Sequence, residues 1–270
     1  MIRHIGMMQR FTLRYMNFHQ GQVLKHMEKL SSGQRINRAA DDAAGLAISE
    51  KMRAQIRGGQ QAQRNVLDGV SLVRTAEGSL HEQHAILQRL RELSVQSANG
   101  TYSAEERNSM QREVDQLIDE MGALRERAEY NRKSLLKGGT ATLQIGANRK
   151  QSLTLQLPDT HVNILGISDM NVLTPEGANT AISLLDVAIM ALSRDRSRLG
   201  AYENRLAHTY RHLTNYELTM TAAESRIRDA DMAKEMMGVV KHRVLNQAGM
   251  AMFLHTHQQK NLVLRLIGEK

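Results

Sequence analysis

Apolar residues recur at helical spacing through most of the chain. Val66, Val73, Leu80 and Leu87 lie seven residues apart, with Val70 and Ala76 beside the stripe. That period is the seam of a long helix made to lie against another. Asn99-Gly100 stops it, and Ser103 with Glu106 three residues on forms a capping box that starts a second helix. This helix reaches about Arg127 and carries Met110, Val114, Leu117, Met121 and Leu124 on one face. Gly138-Gly139 closes the helical section. Thr140 to Ile145 and Ser152 to Leu157 then alternate, placing Ala141, Leu143 and Ile145, and Leu153, Leu155 and Leu157, on one side. With Gly146 and Asn148 between them, the two runs predict a β-hairpin with one apolar face. A lone hairpin is marginal in water, so it must pack on the helices or on a neighbouring subunit. Thr174-Pro175-Glu176 opens the next helix with a capping hydroxyl, a proline at the first position and an acid in the first turn. It continues through Ala191, and Leu206, Leu213, Met220 and Ile227 then keep a heptad with Tyr216, Ala223 and Ala230 as a second row.

Past Ile227 the phase changes. The next seam, Met237, Val240, Val244, Ala251 and Leu254, starts ten residues on instead of seven. Three extra residues are a stammer, which overwinds a coiled coil locally. Asp229-Ala230-Asp231 sits there and marks a domain boundary. Leu24, Met27 and Leu30 carry the corresponding stripe near the N-terminus. Chain ends with apolar seams are not solvated tails; their partners are each other or copies in other subunits. Periodicity alone therefore predicts a coiled-coil assembly protein: helix, helix, hairpin, helix, with amphipathic helical ends.

Composition agrees with that picture. Apolar residues make up 41% of the 270 but aromatics only 3%, with no Trp and sixteen Met, so helix seams replace an aromatic core. Two prolines leave long helices unbroken. The absence of Cys removes disulfides, thiol nucleophiles and thiolate metal sites. No run is long and apolar enough to span a membrane, and the basic N-terminus lacks the apolar stretch of a secretory signal, which alone reads as cytoplasmic. The charge of +8 is concentrated at the ends: residues 1–35 hold six Lys/Arg and one Glu, and residues 232–270 hold six Lys/Arg and two Glu. Six of the eleven histidines (His4, His19, His26, His242, His255 and His257) share those segments. Without a finger, a ribonucleoprotein motif or an aromatic-studded basic strand, this distribution argues against nucleic acid.

Sharper chemistry is weakly supported. His81-Glu82-x-His84 spaces its histidines three apart, where a zinc protease helix needs four, although Glu77, His81, His84 and Gln88 share a face. Asp41-Asp42 reads as two acids at a helix start, which the helix dipole favours. His255 and His257 diverge around a helix, and no Gly-rich phosphate loop is present.

Residues 29–57, KLSSGQRINRAADDAAGLAISEKMRAQIR, closely resemble the N-terminal signature of bacterial flagellins. The resemblance continues through NVLDGVSLVRTAEGSL (65–80) and LQRLRELSVQSANGTYS (87–103). It returns at RSRLGAYENRLAHT (196–209), AESRIRDADMAKEM (223–236) and NQAGMAM (246–252). It implies a mainly α fold: long antiparallel helices in a coiled-coil bundle with one small β-hairpin, the N- and C-terminal halves side by side. Residues 1–43 and 231–270 would form an inner terminal coiled-coil domain, and residues 44–230 a helical shell carrying the hairpin near 140–157. The outer domains that many members insert midway have no room here.

The resemblance further implies a structural subunit that polymerises with itself into the extracellular filament, with no enzymatic activity, cofactor, metal, nucleic acid or membrane insertion. Its partners would be an export chaperone, the type III export apparatus that passes it without a cleaved signal, and the hook-associated junction and cap proteins. A hook–filament junction protein and a cell-surface adhesive homologue are the alternatives. The assembly seam would be Leu24, Met27, Leu30, Met237, Val240, Val244 and Leu254. Arg89, Leu93 and Glu113 align with the face that a Toll-like receptor reads in many flagellins. Departures from the pattern are His4 and Gln9 where Asn is usual, His255-Thr256-His257 in place of a Gln/Ala/Asn stretch, a Gly-Glu-Lys tail and the basic charge.

Overall fold

A computed structural model of the chain describes residues 2–268, with side chains described for residues 6–259. The side chain of His4 and the last two residues of the Gly-Glu-Lys tail lie outside that range. Six helices and two small antiparallel hairpins follow in order: α1 (Ile2–Ser32), α2 (Ala43–Ala98), α3 (Ala104–Arg127), β1 (Glu129–Tyr130), β2 (Lys133–Ser134), β3 (Thr140–Gln144), β4 (Ser152–Gln156), α4 (Val162–Leu165), α5 (Pro175–Arg228) and α6 (Met232–Gly268). The fold is mainly α with one substantial hairpin, as the periodicity predicts. Contacts divide it into two compact units: residues 1–54 with 219–270, and residues 55–218. The division falls inside α2 and α5, not at the connecting loops near 43 and 231 where charge and phase break.

In the unit of residues 55–218 an apolar seam does the packing. On α2 the buried positions run Ala62, Val66, Gly69, Val73, Ala76, Leu80, Gln83, Leu87 and Leu90, alternating steps of four and three residues in a sustained heptad. On α5 Ala178, Leu185, Leu192, Leu199, Leu206 and Leu213 repeat every seven residues and are buried too. The heptad seen from Leu206 onward thus begins four heptads earlier, at Ala178, than its sequence signature suggested. Arg74–Glu203 (2.7 Å) and Arg91–Asp186 (2.8 Å) bridge α2 and α5 in antiparallel sense. Both pairs are partly exposed, so they set alignment more than stability.

The capping box forms as expected: Glu106 N–H donates to Ser103 Oγ, and Ser103 N–H donates to the Glu106 carboxylate at 2.7 Å. From α3, Met110, Val114 and Met121 enter the core. The helical section ends at Arg127, well before Gly138, because a tight hairpin intervenes whose turn residues Asn131 and Arg132 both take positive φ. Lys133 and Ser134 form strand β2. Strands β3 and β4 pair Ala141 with Leu155 and Leu143 with Leu153. Their apolar face lies on α2 at Gly69, where an added Cβ would meet Leu143 Cδ1 and force that side chain to shift. Pro175 opens α5 after Thr174, whose Oγ1 accepts the N–H of Gly177.

In the other unit the predicted overwinding is absent. The helix stops at Arg228, three residues are non-helical, and α6 starts afresh at Met232. An insertion that a continuous coil would absorb as twist is released here as a break. Asp229–Asp231 is tied instead to the loop after α1: Gln34 and Asp229 form a β-bridge, and Ala230 N–H donates to Gly33 carbonyl oxygen at 3.0 Å. Gly33 is at φ 69°, the left-handed turn that ends α1.

Candidate assembly surface

Helices α1 and α6 pair along their length within one unit. The pairing is antiparallel, since His26 meets Glu235, His19 meets His242 and Gly249 lies under Met16. The loops at its base are fixed by charged side chains. Arg35 donates to Ile227 carbonyl oxygen at 2.6 Å, and Arg228, 9% exposed, donates to Gln34 and to Glu50. Asp41 accepts the backbone N–H groups of Asn37 and Arg38, which holds its carboxyl below the usual range. Asp42 accepts Gly45 N–H at 2.9 Å at the start of α2. The two acids are therefore spent on backbone.

The inward faces differ from the expected seam. On α1 the less exposed positions are Gln9, Thr12, Met16, His19, Val23, His26 and Leu30. On α6 they are Glu235, Val239, His242, Asn246, Gly249, Phe253 and Thr256. Both sets step by alternating threes and fours, a heptad written largely in polar residues. His19 Nδ1 lies 2.8 Å from His242 Nδ1, His26 Nδ1 lies 2.5 Å from Glu235 Oε2, and Asn246 donates to Gln20 at 2.9 Å. Gly238 and Gly249 give the opposing side chains room. Burial, and after it the charges of His19, His26 and Lys241, push the His242 imidazole below its ordinary value. An apolar-pattern search passes over this seam because its repeating positions are histidine, glycine and amide; only a residue-blind search at seven-residue spacing would find it.

The residues expected to form the seam face outward instead. Leu24, Met27, Met237, Val240, Val244 and Leu254 are all exposed, with Val244 at 55%; Leu30 is half-buried. They are joined on these helices by Met7, Phe11, Phe18, Met236 and Met252, also exposed. Of the two partners open to this stripe, each other or copies in other subunits, the first is not met within the chain: most inner positions of each helix are taken by polar residues or glycine, so most of the apolar stripe is left exposed. Within the described residues of this unit, only Ile36 and Val239 are buried hydrophobics. An apolar groove of about 310 Å3 runs between Met8, Phe11, Tyr15, Leu245, Ala248 and Met252.

In the other unit, Arg89 forks onto Glu113 at 2.7 and 2.9 Å and reaches Glu92 at 3.3 Å; Arg89 and Glu92 are exposed and Glu113 is half-buried. Leu93 is 2% exposed and belongs to the core, so that its side chain is not offered on the Arg89–Glu113 face. His84 touches Gln88 at 3.5 Å, and burial, then Arg196 and His81, push its imidazole down. Among the described residues no three His, Asp or Glu side chains are placed to share a metal ion. None of the described helices is long and apolar enough to cross a membrane.

Comparison with known proteins accounts for both units. Residues 5–141 match the family model of the bacterial flagellin N-terminal helical region, and residues 182–267 match that of the bacterial flagellin C-terminal helical region. A flagellin of Halalkalibacterium halodurans is 48% identical over 255 residues, covering 93% of each chain. A flagellin of Bacillus subtilis is 44% identical, covering 95% of this chain and 96% of its own. The crystal structure of Bacillus cereus flagellin superposes with a TM-score of 0.52 at 32% identity, covering 60% of this chain and 94% of that one.

Proposed function

The chain belongs to the bacterial flagellin family and is a structural subunit of the flagellar filament, and from that premise we propose that the outward apolar faces of α1 and α6 are what polymerises it. The observation that carries this reading is the inversion of the terminal helices: polar residues or glycine at most inner positions, and most of their Met, Leu and Val outside. Each subunit offers the same faces to neighbours related by a rotation and rise that never closes, and such heterologous contacts build an open helical array. Leu24, Met27, Leu30, Met237, Val240, Val244 and Leu254 are the contact residues. Burying them contributes about 25 cal/mol per Å2 of apolar area. Residues 1–43 and 231–270 form the inner, terminal domain of the filament.

The subunit has no catalytic role. It reaches the outside unfolded, through the flagellar type III export apparatus and with an export chaperone, and meets the hook-associated junction and cap proteins at the two ends of the filament. The Arg89–Glu113 pair, with Leu93 in the core, is the surface available to a Toll-like receptor. Its charged fork is the feature that favours this second role, and Arg89→Ala, with receptor activation as readout, tests it: undiminished activation excludes the pair.

Electron microscopy of purified protein after salt or seed addition tests the main reading. Long helical filaments are expected. Soluble subunits, or closed rings, would overturn it and favour the junction-protein alternative.

A further inference from the structure

Helix α5 carries a histidine pair that the assembly surface does not use. His208 and His212 are four residues apart, and of the eleven histidines they alone have that spacing. Both are exposed, and both border a groove of about 480 Å3 between α5 and the β3–β4 hairpin. One helical turn stacks their Cβ atoms on a single face, about 5–6 Å apart, so that two imidazoles can reach one ion. His81 and His84, three apart, lack that spacing. We propose that His208 and His212 are a chelating pair for a divalent transition cation of the zinc, nickel or copper kind.

The class of cation follows from the groove. Its far wall is Gly146, Gln151 and Ser152 of the hairpin, and no carboxylate lines it. Calcium and magnesium are held by carboxylate and carbonyl oxygens, which this lining does not supply in number. Imidazole suits zinc, nickel and copper. Among the described residues no third His, Asp or Glu joins the pair, so water completes the coordination. Such a site holds its ion exchangeably, unlike a closed structural site with four protein ligands.

Arg211 competes with the ion. Its guanidinium donates to His208 Nδ1 at 3.2 Å, which leaves the ring hydrogen on Nε2. A cation taken at Nδ1 displaces the guanidinium directly. A cation taken at Nε2 sends the hydrogen to Nδ1, where it would face a donor. By either route Arg211 must swing away, and its exposure on α5 leaves it room to do so. The bound ion then links successive turns of α5 beside the hairpin.

Zinc chloride titrated into unassembled full-length protein at about pH 7.5, where bare imidazoles bind metal, tests the pair without reference to polymerisation. Followed by the 15N shifts of the histidine rings, His208 and His212 should move together along one binding curve. Either single variant, His208→Asn or His212→Asn, should weaken the site by about tenfold or more, because the second ligand's effective concentration is lost. Arg211→Ala should tighten it by about threefold, since one hydrogen bond no longer has to be broken. Both histidines are exposed, so without zinc the variants should melt with the wild type. Separate curves for the two rings, single variants that bind as the wild type does, or weaker binding by Arg211→Ala would overturn the proposal. So would rings 208 and 212 that stay unmoved while histidines elsewhere take up the zinc.

Discussion

The two units solve the same packing problem in opposite ways. In residues 55–218 the heptad positions of α2 and α5 are Val, Leu and Ala, buried throughout, and the charged residues lie outside. In the terminal unit the heptad positions between α1 and α6 mix His, Gln, Asn, Glu, Gly and Thr with a few apolar residues such as Met16, Val23 and Val239, and most of the large apolar residues lie outside. A helix pair of the first kind is complete within one chain. A pair of the second kind has hydrogen bonds to fix its register but little apolar burial to hold it, and its exposed stripe gains burial only when other copies arrive. A polar residue at a coiled-coil seam costs stability and specifies register. The terminal helices therefore carry their partner choice inside and their assembly energy outside, whereas the other unit supplies a folded body that needs no neighbour.

That contrast is broken most forcefully at the ends. Removing residues 1–35 or 237–270 should abolish polymerisation while the helices of residues 55–218 persist; sedimentation and circular dichroism check both halves of the statement. Val244→Asp should do the same with a single side chain. In the isolated subunit Val244 is 55% exposed, so its replacement should leave the melting temperature nearly unchanged, within about 0.5 kcal/mol of stability. Between subunits the carboxylate would be buried unpaired, at a cost of several kcal/mol, ~5 in order of magnitude. Filaments of normal length from Val244→Asp would place the contact surface elsewhere.

The converse experiment lies in the other unit. Leu87→Ala empties a fully buried seam position and should cost about 2–5 kcal/mol, read as a lower denaturation midpoint of the monomer. Gly69→Ala should cost less, about 1–3 kcal/mol, because the added methyl meets Leu143 Cδ1 and shifts the hairpin without emptying the core. If either variant impaired assembly before it impaired folding, the division of labour between the units would be wrong.

How much of this was legible in the sequence differs between the units for the same physical reason. The seam of α2, the capping box at Ser103, the hairpin with its apolar face and the start of α5 could all be read, because each rests on local pattern or on apolar residues at a fixed period. The short β1–β2 hairpin was not: it depends on Asn131 and Arg132 adopting positive φ, a conformation that arginine seldom signals. At the chain ends the apolar stripe of Met237, Val240 and Val244 was found, but its direction was not. Periodicity locates a face and is silent on what covers it. The inner face of α6, from Glu235 through Val239, His242 and Asn246 to Gly249, is mostly polar or glycine, and hydrophobic patterning has no means of ranking a histidine above a solvated residue. Likewise Leu93, aligned with an exposed surface, sits one turn from Arg89 yet points into the core.

The smallest effect tests whether local capping, and not assembly, sets the stability of α3. Ser103→Ala removes the hydroxyl that accepts Glu106 N–H, and with it one half of the capping box. The cost should be about 1 kcal/mol in the monomer, with polymerisation unaffected once the protein is folded. A pH signature accompanies it. The hydrogen bond from Ser103 backbone N–H, and then the Ser103 hydroxyl, hold the Glu106 carboxyl below its usual range. A depressed carboxyl stabilises the fold above its unfolded value, near 4.3 for Glu, and loses that contribution as pH falls through the folded value. Glu106→Gln keeps a side chain able to accept from Ser103 N–H but cannot titrate, so its melting temperature should fall less steeply between pH 5 and 3 than that of the wild type. The difference will be small because Glu106 is exposed and solvent screens it. Identical slopes for the two proteins would show that the capping box contributes geometry alone, leaving the helix start to the chain direction set by the tight turn after α2.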